Sequence, residues 1–155
     1  MNTYLARLLG TIVFVVCFLT AIAVADAPAG RYSVASGAVY DSKTKLTWQQ
    51  TVPATTYTWA AGKTYCRDVG ATLGGTGWRL PTRNELLTIV DYSRTNPTID
   101  LTAFPSTPAK YFWSSTPSAS LSSKVWSVNF FNGNSICNDG NCDDMSNMIY
   151  VRCVR

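Results

Sequence analysis

Gly77-Trp78-Arg79-Leu80-Pro81-Thr82-Arg83-Asn84-Glu85-Leu86 is the stretch on which the fold turns, because it reads as a short buried strand running straight into a helix. Trp78 and Leu80 alternate with Arg79 at the period of a half-buried strand, and Pro81, which has no N–H to give to a ladder, stops it. Thr82 and Glu85 stand three apart as a capping box: the threonine oxygen takes the Glu85 N–H and the glutamate reaches back to the Thr82 N–H. Leu86, Ile89 and Val90 continue at helical spacing, so one apolar stripe faces whatever Trp78 and Leu80 also touch. Arg79 and Glu85 are read as structural partners of this junction.

Working outward towards the N-terminus, Ala38-Val39-Tyr40 and Leu46-Thr47-Trp48 are strand formers separated by turn chemistry from Asp41 to Lys45, which predicts a hairpin. Thr58 is placed to cap a helix starting at Trp59, with Trp59, Cys66 and Val69 on one face, Lys63 and Arg67 on the other and Gly70 at its end. The glycine-rich loop from Thr72 to Gly77 lacks phosphate-loop spacing and reads as a plain turn. Towards the C-terminus, 96–108 is a proline-containing loop anchored by Ile99, Leu101 and Phe104. Tyr111–Ser115 and Lys124–Phe130 are strands, the second with Trp126, Val128 and Phe130 on one face. The stretch 131–147 is rich in Asn and Asp and poor in apolar residues, and a last strand runs from Ile149 to Val154. The sum is an α+β domain: a mainly antiparallel sheet, two helices and long loops.

The first 25 residues read as a signal peptide: a short start with Arg7, an apolar run from Leu8 and the small residues Ala23-Val24-Ala25. Residues 26–36 read as a linker and 37–155 as one domain, so the product is expected to be exported to the periplasm, the cell surface or the medium, with no membrane span after cleavage. The full chain carries 13 Lys and Arg against 9 Asp and Glu. That bias is too mild, and too free of charge runs, for a nucleic-acid partner. Histidine is absent, which removes His-dependent triads and His-ligated zinc.

In an oxidising compartment Cys66, Cys137, Cys142 and Cys153 are expected to form disulfides, and three pairings exist on paper. Cys66 with Cys153 would tie the first helix to the last strand across a long loop, and Cys137 with Cys142 would close a short one.

Trp59-Ala60 with Tyr65-Cys66, the Trp78-Arg79-Leu80-Pro81-Thr82 and Glu85-Leu86 motifs, Phe112-Trp113-Ser114-Ser115-Thr116, Val125 to Phe130 and the terminal Tyr150-Val151-Arg152-Cys153-Val154-Arg155 resemble the Lcl C-terminal domain family. That family resembles the wider C-type-lectin-like group, in which a helix cysteine bridges to the last strand, as in the Cys66–Cys153 pairing. The resemblance implies a bacterial surface adhesin that binds glycans, sulfated ones in its namesake. The calcium-dependent sugar motifs of true C-type lectins are missing, so no cofactor is expected. Asp139, Asp143 and Asp144 remain candidate calcium ligands, although they lack EF-hand spacing and a hydrated loop is the alternative.

The leading functional expectation is a non-enzymatic binding or adhesion module that meets a glycan or a surface protein through Asn132, Asn134, Asn138, Asp139 and Asn141. One alternative is an enzyme resembling formylglycine-generating enzymes, which hold copper(I) on two cysteines at the spacing of Cys137 and Cys142. A structural role in the envelope or a pilus is the other.

Overall fold

The computed structural model describes residues 28–135, 137 and 143–155; the leader read over 1–25 lies outside them. The first sheet is an antiparallel meander of β1 (Tyr32–Ala35), β2 (Ala38–Asp41) and β3 (Thr47–Gln49). Val39 lies opposite Trp48 in the expected hairpin, and β1 adds a strand in what the sequence reading had as linker. The connection then passes through three helices, α1 (Trp59–Asp68), α2 (Gly70–Leu73) and α3 (Arg83–Thr88). The second sheet follows, with β4 (Tyr111–Pro117), β5 (Lys124–Asn129) and β6 (Asp143–Asp144) antiparallel in that order. The α+β reading therefore holds, with its strands divided between two sheets and a four-residue helix added to the expected pair.

Thr58 caps α1 by accepting the Ala61 N–H. α1 ends with Val69 as its cap, one residue before the expected Gly70, and Gly70 itself opens α2. The chain bends there into α2, and glycine is required by closeness, since a Cβ at Gly70 would come 2.6 Å from the Gly75 carbonyl oxygen. α2 stops at Gly74, whose φ of +73° belongs to the left-handed region.

The junction at Trp78–Leu86 is built as its sequence dictates, with less regular strand than expected. Arg79 exchanges both backbone hydrogen bonds with Val154 at 2.9 Å, as an isolated bridge. The capping box is complete, with Glu85 N–H to Thr82 Oγ1 at 3.2 Å and Thr82 N–H to Glu85 Oε2 at 2.7 Å. Arg79 grips the same carboxylate with Nη1 at 2.8 Å and Nη2 at 2.7 Å, so the two charged residues are each other's partners at the helix start. That fork, together with the Thr82 hydrogen bonds, holds the Glu85 carboxyl below its ordinary pKa.

The segment from Ile149 to Val154 is not the continuous strand expected from its pattern. It pairs in turn with Tyr57, β4, β3 and Arg79, and so sews the two sheets and the helical segment together. Its side chains alternate between two cores: Ile149, Val151 and Cys153 enter a cluster with Cys66, Trp78, Leu80 and Trp113, while Tyr150 and Val154 enter one with Trp48, Leu86, Phe104 and Phe112. The Cys66–Cys153 disulfide crosses from α1 to this seam. Ile99 and Phe104 anchor the 96–108 loop as expected; Leu101 does not, being 40 % exposed.

Arg152, part of the terminal motif but given no role by the sequence reading, is fully buried on this seam. Its Nη1 donates to the carbonyls of Gln49 and Gln50 at 2.7 Å each and its Nη2 to Thr107 Oγ1 at 2.6 Å, while the guanidinium lies 4.7 Å from the Phe104 ring centre. Burial pulls its pKa down to about 9, which leaves it charged at neutral pH. It nails the 96–108 loop to β3.

Candidate functional site

The turn after β5 is an exposed surface whose backbone is shaped by its own side chains. Phe131 N–H donates to Asn129 Oδ1 at 2.9 Å and Asn134 N–H to Asn132 Oδ1 at 3.1 Å, so two asparagines shape their own backbone. Gly133, at φ +77°, turns inwards, where an added Cβ would come 2.7 Å from both Tyr92 Cε1 and Val90 Cγ1. Tyr92 Oη in turn donates to the Gly133 carbonyl at 3.3 Å. Two aromatic side chains flank this turn in solvent, Tyr92 at 70 % exposure and Phe131 at 52 %. Between them the carboxamides of Asn132 and Asn134 are exposed, and that of Asn134 has no hydrogen-bond partner among the described residues.

The other end of the turn leans on α3. Ser135 Oγ donates to the Ser127 carbonyl at 2.9 Å and accepts from Arg83 Nε at 2.8 Å. The Arg83 guanidinium lies over the Trp126 ring, 4.2 Å from its centre. Trp126 has the parity of the core residues Val128 and Phe130, but it is only half-buried under this arginine and joins neither hydrophobic cluster, while Val125 and Ser127 of the other parity are buried, so the expected one-sided alternation is not kept.

The model for the Lcl C-terminal domain matches residues 37–155, more than half of the chain. The chain belongs to the Lcl C-terminal domain family. It matches none of the curated proteins with which it was compared.

Of the residues that sequence reading offered as the ligand site of this Lcl C-terminal domain, the structure places Asn132 and Asn134 on the exposed turn; Asn138, Asp139 and Asn141 lie outside the described residues, as does Cys142. Cys137 is disulfide-bonded. Two candidate calcium ligands are already engaged by protein groups. Asp143 accepts from Ser127 Oγ and from Asn147 Nδ2 at 3.4 Å. Asp144 accepts from Ser146 N at 3.0 Å and Oγ at 2.7 Å, with Lys124 at 3.5 Å, and the Ser146 hydrogen bonds hold its carboxyl below the ordinary value. Among the described residues no group of three potential ligands converges on one point.

Sequence reasoning had Phe131 open the polar loops of this surface without giving it a role, and it missed Tyr92, Arg83 and Trp126. Away from this face, Lys63 lies over the Trp59 ring at 3.5 Å and Arg67 pairs with Asp68 at 3.1 Å, so the two cations of α1 are engaged separately. A shallow concavity of about 750 Å³ lies along α1, lined by small side chains and by Tyr57 and Tyr65, which stack at 4.9 Å. Its charged member, Asp68, is the one paired with Arg67. No helix among the described residues is long and apolar enough to cross a membrane.

Proposed function

We propose that this Lcl C-terminal domain is an exported, non-enzymatic adhesion module of the C-type-lectin-like group, and that it binds glycan chains on the turn after β5. The observation that carries the reading is the pair of exposed aromatics, Tyr92 and Phe131, beside the exposed Asn132 and the unpartnered carboxamide of Asn134 on one hydrogen-bonded turn. Sugars offer apolar C–H faces and rings of hydroxyls, and aromatic surface with fixed amides is complementary to both. Rigidity matters because ordering a loose loop on binding would cost about 0.5–1.5 kcal/mol for each immobilised side chain. A buried Cys66–Cys153 bridge supports export to an oxidising compartment, and its link from α1 to the C-terminal seam supports the lectin-like grouping. Absence of histidine supports a binding role over hydrolysis.

A glycan array run with and without calcium tests the proposal, followed by Phe131→Ala and Asn134→Ala on whichever glycan binds. Both substitutions are expected to lower affinity at least tenfold while the melting temperature stays within a few degrees, since exposed turn residues shift stability little. Full binding in the double variant would move the site elsewhere on the domain.

A further inference from the structure

Arg83 is held on three sides. Its backbone N–H donates to Thr116 Oγ1 at 3.0 Å, its Nε donates to Ser135 Oγ at 2.8 Å, and one face of its guanidinium rests on Trp126. Arg31, Arg67, Arg79 and Arg94 are each paired with a carboxylate of this chain; Arg83 has none among the described residues. Nη1 and Nη2 are left as a fixed fork beside the exposed turn. With Nε occupied, the edge of the guanidinium that has no partner among the described residues is the end, one hydrogen from each terminal nitrogen, and this matches the two oxygens of a planar carboxylate.

We propose that Arg83 is the carboxylate-binding residue of this face, and that the glycan it takes is an acidic one built on a uronic acid; this rests on the glycan reading above. The geometry of the fork favours a carboxylate, since two N–H groups in one plane meet two oxygens that also lie in one plane, whereas a tetrahedral sulfate gains nothing from that planarity. The Trp126 stack and the Ser135 hydrogen bond fix the fork before the ligand arrives, so little rotamer freedom is lost on binding.

The test uses oligogalacturonate, its methyl ester, a sulfated galactan without carboxylates and polyglutamate, titrated into the mature domain. Oligogalacturonate is expected to bind, and esterification or Arg83→Gln should weaken it roughly ten- to a hundredfold, the loss of a charge-assisted pair. Arg83→Lys should recover part of that, because it restores the charge without the fork. The acid and ester comparison needs no variant, so a folding defect cannot hide the answer. Equal binding of acid and ester, tighter binding of the sulfated galactan, equal binding of polyglutamate, or no binding of any probe would each overturn the assignment. A glycan that is bound without regard to Arg83 and lost in the Phe131→Ala, Asn134→Ala variant would leave the glycan face standing and remove only its carboxylate site.

Discussion

Replacing Cys66 and Cys153 together by alanine isolates the chain-closing effect of the long disulfide, since no single thiol is left in the core. The bridge spans a sequence separation of 87. Closing a loop of that length in the unfolded chain removes about 15 cal/mol/K of entropy, which is about 4.6 kcal/mol at 25 °C. Both residues are fully buried, so losing two sulfur atoms adds a cavity contribution of about 1 kcal/mol. A small domain has only about 5–15 kcal/mol in all, so the variant should stand near the edge of folding at 37 °C. Urea denaturation of the oxidised wild type and the variant measures the difference. Because the released unfolded chain exposes more surface, the slope of free energy against urea should also steepen. A loss below about 1 kcal/mol would refute the reasoning, and a large loss at unchanged slope would place the effect in the folded state.

Arg152→Met should cost about 3–5 kcal/mol in the same assay, because two buried acceptors and a part-buried one lose this donor at once, while a neutral effect would show that the seam does not need its arginine. Acid should weaken the fold through Glu85 and Asp41. Burial by itself raises the Asp41 carboxyl, but hydrogen bonds from Arg31, Lys43 N–H and Thr44 outweigh it and leave it low. Both groups bind protons less readily in the folded chain, so their contribution is complete above the ordinary values of 4.5 and 3.8 and drains away as the pH falls through the lower folded ones. Melting temperature against pH should therefore drop less steeply below pH 4.5 for the Asp41→Asn, Glu85→Gln variant than for wild type, and parallel curves would contradict this. Gly133→Ala should lose more than about 1 kcal/mol and also reduce glycan binding, because alanine is strained at that φ and its Cβ would crowd Tyr92; an unchanged denaturation midpoint would argue that the turn relaxes freely.

Local chemistry was legible wherever neighbours in sequence are also partners in space. Thr82 and Glu85 cap a helix across three residues, Ala38–Tyr40 pairs with Thr47–Gln49 across a short turn, and Thr58 starts α1; each rests on contacts that any tertiary setting would leave intact. Family membership was legible for the same reason, since its motifs are short runs. What the sequence could not decide was where a residue with no local partner would find one. Ile149–Val154 has the pattern of a strand, yet it divides its hydrogen bonds among four separate segments, and only their arrival in space makes Arg152 a buried cross-link. Leu101 lost its place in the core, and Gly70 owes its identity to Gly75 passing alongside. The candidate site divides in the same way. Asparagines in a polar run announced an exposed turn, but Tyr92, Phe131, Trp126 and Arg83 come from separate stretches of the chain, and packing of that turn against α3 and Tyr92 is what makes one face of them.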